Sequence, residues 1–306
     1  MTIPTFHLRV NDGTKIPNIA FGTGTALVHQ EDAQKILECA IANGFTHFDA
    51  AQRYKNEAVL GAAIKASGVP RSSLFVSTKF APLQVGQTAK TALSASLEKL
   101  GLEYVDLYLV HAPSDHVGRL KEVWKVMEEC KREGLAKSIG VSNFGVEHLQ
   151  EILEDAEFLP CVNQLEVHPY MWDCLQPVMA FHKEHGIITS SFGGLSPLFR
   201  APGGPLDPLI ERIRARLEAT RGKPVTSSQV LTKWLQQHDI VVVTTSTKAD
   251  RMREYVDTGD ILELTAEEME EIESAGAERH QAFFKPTKYS FNVGASATQV
   301  RGNSQL

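Results

Sequence analysis

Four side chains in this sequence have types suited to joint proton chemistry: Asp49, Tyr54, Lys79 and His111. A phenol has a reference pKa of about 10, too high for an efficient acid near neutrality. A neighbouring ammonium favours the phenolate and lowers that value, and a carboxylate keeps the ammonium charged and in place. On this reading Tyr54 is a general acid, Lys79 tunes it, Asp49 anchors Lys79, and His111 orients a substrate oxygen. No nucleophile here stands with a partnered base, so acyl transfer is not expected. A Schiff-base aldolase built on Lys79 would need an uncharged amine, and Asp49 opposes that.

These residues can act together only if the fold gathers them. Short apolar runs at 19–21, 46–49, 74–78, 106–110, 138–141, 162–167, 187–190 and 240–244 alternate with segments whose apolar residues fall three and four apart. Examples are Ala33, Ile36, Leu37, Ala40 and Ile41, and later Leu120, Val123, Trp124 and Met127. Gly44, Gly101, Gly134 and Gly186 follow such segments, where a helix stop favours glycine. Strand–helix alternation implies parallel strands joined by right-handed crossovers, and eight units in about 300 residues is the size of a (β/α)₈ barrel. A doubly wound sheet would want a third glycine after Gly22 and Gly24, which is missing. The fold class is therefore α/β, a single (β/α)₈ TIM barrel.

An N-terminal hairpin is expected at 6–10 and 15–17, turning at Asn11-Asp12-Gly13. Two further helices are expected near 206–218 and 265–277. Residues 1–306 read as one domain without a linker. The tail from about 281 lies over the substrate pocket, and its end is expected to fray. Reactive groups in such a barrel project from the carboxyl ends of the strands. Asp49 and Lys79 end the second and third strands, His111 ends the fourth, and Tyr54 follows in the loop behind Asp49. Strand alternation puts Leu107, Leu109 and His111 on one face of their strand, and Phe75, Ser77 and Lys79 on one face of theirs; if the leucines and Phe75 point inward, so do His111 and Lys79.

Composition narrows the class of protein. The 306 residues are 42% hydrophobic and 22% charged, within the globular range. A net charge of −6 argues against nucleic-acid binding. No apolar run reaches the roughly 18 residues that span a bilayer, and no export signal opens the chain. Cys39, Cys130, Cys161 and Cys174 form no metal or disulfide pattern, which points to a cytoplasmic protein with reduced thiols and no metal. A monomer or weak dimer is expected.

The segment from Gly44-Phe45-Thr46-His47-Phe48-Asp49 through Arg53-Tyr54-Lys55-Asn56-Glu57 to Leu60-Gly61 resembles the first signature of the aldo-keto reductases. Leu97-Glu98-Lys99-Leu100-Gly101 through Asp106-Leu107-Tyr108-Leu109-Val110-His111 resembles their second. Ile139-Gly140-Val141-Ser142-Asn143-Phe144 and Val162-Asn163-Gln164-Leu165-Glu166 are also similar to family segments, in the family's order. Residues 242–248 and Gln281-Ala282-Phe283-Phe284 make the chain most similar to fungal conjugated-polyketone and α-keto-amide reductases. The resemblance implies NADPH-dependent reduction of a ketone, keto lactone, keto ester or aldehyde, with Asp49, Tyr54, Lys79 and His111 as catalytic residues. It further implies a nicotinamide carboxamide held by Ser142, Asn143 and Gln164. The alternative is a non-catalytic nicotinamide-nucleotide sensor or partner subunit on the same barrel, for which an intact tetrad has no use.

Two positions depart from the family pattern. Phe192 stands where a tyrosine usually stacks on the nicotinamide; the aromatic face remains and the hydroxyl is lost. Thr245 stands where a lysine usually meets the 2′-phosphate. That leaves Arg251 and Lys248 to supply the charge, beside Ser246 and the adenine-side Glu254, so NADPH is favoured and NADH stays open. Trp172, Leu198 and Phe199 are expected pocket walls, with Phe283 and Phe284 closing over them.

Overall fold

Each expected apolar run forms a strand in the computed structural model, which describes residues 7–284. The hairpin is β1 (His7–Arg9) against β2 (Lys15–Pro17), antiparallel, with Leu8 opposite Ile16. The barrel strands are β3 (Ile19–Gly22), β4 (His47–Asp49), β5 (Phe75–Phe80), β6 (Val105–Val110), β7 (Ala136–Ser142), β8 (Val162–Glu166), β9 (Ile188–Phe192) and β10 (Val241–Thr244). They run parallel in chain order, and β10 closes onto β3 with Val242 opposite Ile19.

Eight helices follow the eight strands: α1 (Ala33–Ala42), α2 (Glu57–Ser67), α3 (Ala89–Leu100), α4 (Leu120–Arg132), α5 (Val146–Leu153), α6 (Trp172–His185), α9 (Ser227–Gln237) and α10 (Ala249–Asp257). The two expected extra helices are α8 (Leu206–Arg221) and α11 (Ala266–Ala277). A third, α7 (Ser196–Arg200), was not expected, because five residues are too few to show a 3.6 period. Local signals set the ends. Thr88 caps α3 through the Thr91 amide, while Gly101 and Gly186 end α3 and α6 at φ of 64° and 65°, which a Cβ would oppose.

Alternation sorts the strand side chains into two layers. Phe75, Leu107 and Leu109 pack with Val162 and Val241 inside the barrel, joined there by Val10 and Ile16 from the hairpin. The intervening Val76, Phe80, Tyr108 and Val110 meet the helices, including the buried stripe Leu120, Val123, Trp124 and Met127 of α4. The hairpin turn is fastened to the strand-start end of the barrel. Asp12 Oδ2 accepts from Ser138 Oγ at 2.8 Å and Lys131 Nζ at 2.6 Å, and Asn11 donates to the Pro160 carbonyl at 3.0 Å. The bottom of the barrel is plugged, so the opposite end is the one open to chemistry. The expected tail beyond Phe284 lies outside the described residues.

Candidate active site

Asp49 is the last residue of β4, and its register partner on β5 is Ser77, two residues before Lys79. That register brings Lys79 Nζ to 2.5 Å from Asp49 Oδ1 and 2.9 Å from the Ala50 carbonyl, with the ammonium wholly buried. The other carboxylate oxygen accepts from Ser77 Oγ and Gln164 Nε2, both at 3.0 Å. Below them, buried His47 reaches Ser77 Oγ at 3.4 Å, and burial lowers its pKa to about 4, which keeps it neutral.

Tyr54 lies in the short helical turn Gln52–Tyr54 that follows β4. Gln52 pins that turn: its Nε2 donates to the Ala92 carbonyl at 2.8 Å and to Ser96 Oγ at 3.0 Å, and its Oε1 accepts from the Ala81 amide at 3.0 Å. The Tyr54 ring is thereby set 5.2 Å from Lys79 Nζ and edge-on to His111 at 5.9 Å between centroids. Three strands and one loop thus bring the four expected residues together.

Burial opposes charge on every member of this group, and the Asp49–Lys79 pair overcomes it for both partners. Desolvation would raise the Asp49 carboxyl, yet the Lys79 ammonium holds it low. Desolvation would lower Lys79, yet Asp49 holds it high. Tyr54 corrects an expectation. Lys79 does pull its phenol down, but burial pushes up harder, and the net shift is upward, so the hydroxyl keeps its proton at neutral pH. Burial, followed by Lys79 and Arg53, lowers His111 to about 3 and leaves a neutral imidazole. Its Nδ1 has no hydrogen-bond partner among the described residues.

Asp49, Tyr54 and His111 line a cleft of about 480 Å³ at this end of the barrel, with Lys79 beneath it. Ser142, Asn143, Gln164, Phe192, Thr245 and Arg251 also line the cleft. Ser142 Oγ donates to the Gln164 carbonyl at 2.8 Å, and Asn143 Nδ2 donates to the His111 carbonyl at 2.9 Å and to Ser142 Oγ at 3.1 Å, which holds this edge rigid. The set suits a nicotinamide nucleotide: neutral amide and hydroxyl groups, an aromatic face, and a guanidinium with no carboxylate partner among the described residues. The Thr245 hydroxyl is buried there without a partner among the described residues, a polar atom left for something else to meet.

Other candidates fall elsewhere. Lys248 is exposed at the start of α10 and Glu254 lies within that helix; neither lines the cleft. Ser246 is buried and its Oγ accepts from the Lys248 amide at 3.0 Å. Trp172 corrects an expectation: it is no pocket wall, because its ring packs on Trp234 and His238 between α6 and α9. Leu198 faces a neighbouring groove, whereas Phe199 reaches the cleft with Arg251 5.4 Å from its ring centre. Phe284 lines the cleft and Phe283 packs behind it on His168. Gln52, Arg53 and Tyr255 belong to the site as well: Gln52 pins the Tyr54 turn, and Arg53 and Tyr255 line the cleft. The first signature contains Gln52 and Arg53 but does not say what they touch.

The pattern describing the Aldo/keto reductase family matches residues 18–277. The NAD/NADP-dependent indole-3-acetaldehyde reductase of Schizosaccharomyces pombe is 35% identical over 281 residues, spanning 89% of this chain and 96% of that protein. The NADPH-dependent alpha-keto amide reductase of Saccharomyces cerevisiae is 33% identical over 293 residues, 90% of this chain and 93% of that one. A crystal structure of an aldo/keto reductase from Brucella melitensis superposes with a TM-score of 0.76 at 29% identity, covering 89% of this chain and all of the other. The chain belongs to the aldo/keto reductase family, a class of NAD(P)H-dependent carbonyl oxidoreductases. Among the described residues no helix is long and apolar enough to cross a membrane.

Proposed function

We propose that this chain acts as one cytoplasmic domain that reduces a small ketone, keto ester, keto lactone or aldehyde to the alcohol, with NADPH as the preferred cofactor and Tyr54 as the acid. The observation that carries the reading is the buried Lys79–Asp49 pair beside a protonated phenol at the floor of the cleft. The nicotinamide, when bound, supplies a hydride to the carbonyl carbon. Tyr54 gives its hydroxyl proton to the carbonyl oxygen, and the adjacent ammonium stabilises the phenolate left behind. Neutral His111 can hydrogen-bond the same oxygen without placing a second positive charge in the site. Ser142, Asn143 and Gln164 would hold the carboxamide, Phe192 would supply a flat apolar face, and Arg251, beside Thr245, would meet the 2′-phosphate. Lys248, Ser246 and Glu254 have lesser parts on that side.

The test is loss of nicotinamide absorbance when the protein, NADPH and a panel of keto esters, keto lactones and aldehydes are mixed. Turnover of at least one class supports the reading. Tight NADPH binding with no turnover on any would leave a nucleotide-binding protein and defeat it.

A further inference from the structure

Glu166, the last residue of β8, has no place in the chemistry above, yet three donors converge on its carboxylate. Oε1 accepts from the Phe283 amide at 2.7 Å and from His168 Nε2 at 3.0 Å, while Oε2 accepts from the Phe284 amide at 3.3 Å. The His168 side chain is wholly buried, and its ring packs 5.1 Å from that of Phe283. From the other side, Arg200 at the end of α7 donates to the Phe283 carbonyl at 3.0 Å and lays its guanidinium 4.5 Å from the Phe284 ring centre.

This grip fixes one ring in the cleft. Phe284 stands edge-on to Phe192 at 5.3 Å. It also packs so close to Gly193, at a φ of 70°, that a Cβ there would lie 2.6 Å from Phe284 Cε2. A chain segment following a surface helix would ordinarily be loose. Here a carboxylate takes two successive amides, and charge-assisted contacts of that kind are the strong ones.

We propose that Glu166 is a positioning residue for substrate selection: braced by His168 and opposed by Arg200, its carboxylate holds Phe284 as a fixed aromatic wall of the carbonyl cleft. The proposal rests on the reading of that cleft as the reduction site. Aromatic carbonyl substrates, which stack on Phe284, depend on the grip; a two- or three-carbon aldehyde, too small to touch the wall, does not.

Glu166→Gln keeps one acceptor and turns an N–H toward the second amide. In the full chain with NADPH, KM for an aryl α-keto ester is expected to rise about tenfold, with kcat and the KM for propanal within about twofold. In a Phe284→Ala background the same substitution should change nothing further, because the two act as one unit. Equal KM increases for both substrates, a fall in kcat alone, or an undiminished Glu166 effect in the Phe284→Ala background would each overturn the proposal.

Should Glu166→Gln fail to fold, Arg200→Met carries the test, with the same selective KM rise expected; an unchanged aryl KM defeats it. Hydrogen exchange at the Phe283 and Phe284 amides gives a readout that does not depend on turnover. Glu166→Gln should speed it about tenfold, and unaltered exchange overturns the proposal. A wild type that reduces neither substrate would sink the functional reading instead, leaving the exchange result to judge the clamp.

Discussion

The phenol of Tyr54 is held between burial, which raises its pKa, and Lys79, which lowers it; burial wins, so the proton is present when a carbonyl arrives. Removing the hydroxyl while keeping the ring isolates that proton. Tyr54→Phe is expected to cut kcat by about 10²–10⁴, the usual contribution of general acid–base catalysis. NADPH affinity, measured by fluorescence quenching, should be unaffected. A variant that keeps most of its activity would remove Tyr54 from the role. Arg251 lines the same cleft as Thr245 and is the cation proposed to meet the 2′-phosphate. A charge-assisted contact contributes about 1.5–3 kcal/mol, so Arg251→Ala should weaken NADPH roughly ten- to a hundredfold while sparing NADH. Equal losses for both cofactors would indicate a structural defect instead.

Element packing decides where the Tyr54 turn can sit. That turn leads directly into α2, and α2 approaches α3 at Gly61, where a Cβ would stand 2.2 Å from the Leu100 carbonyl oxygen. The obstruction is backbone, so no rotamer can relieve it. Gly61→Ala should destabilise the fold by about 1–3 kcal/mol, the usual range for overpacking. The check is the urea midpoint, which should fall with an unchanged slope. A midpoint equal to wild type would mean that α2 and α3 separate freely. A looser α2–α3 contact should also reduce kcat, since Gln52 ties the Tyr54 turn to Ala92 and Ser96 on α3.

Across the whole molecule, several buried or half-buried histidines are held neutral. Burial is the largest cause in each case, lowering His47, His182 and His238 to about 4 and His111 to about 3, from an ordinary 6.5. The unfolded chain therefore binds protons that the folded chain refuses between about pH 6.5 and 4. Their contribution is complete above pH 6.5 and is lost as pH falls through that window, by about 1.4 kcal/mol per histidine for each pH unit. The unfolding free energy obtained from urea titration should accordingly fall by several kcal/mol between about pH 7 and pH 5, with a lower midpoint at the acid end. His182 is the cleanest single probe, being buried between Asn163 and Thr189 far from charge. A midpoint independent of pH in this range would show that these rings titrate in the fold as they do in the unfolded chain, and so are not held neutral.

What the sequence determined by itself was whatever depends on near neighbours along the chain. Alternation in Phe75-Val76-Ser77-Thr78-Lys79 and Leu107-Tyr108-Leu109 assigned inward and outward faces, and strand ends followed for Asp49, Lys79 and His111, because a two-residue period is a property of the strand alone. Glycines after periodic stretches marked helix ends for the same reason. Only the tertiary structure decided which distant groups meet. Gln52 reaches α3, Gln164 donates to Asp49 from the far side of the barrel, and Glu166 holds Phe283, 117 residues away. Trp172 shows the limit: an aromatic after a strand end can face a pocket or a neighbouring helix, and the packing of α6 on α9 chose the helix. The Tyr54 pKa was likewise beyond local reading: the types of residue say which charges are near, but desolvation depends on how completely barrel closure excludes water.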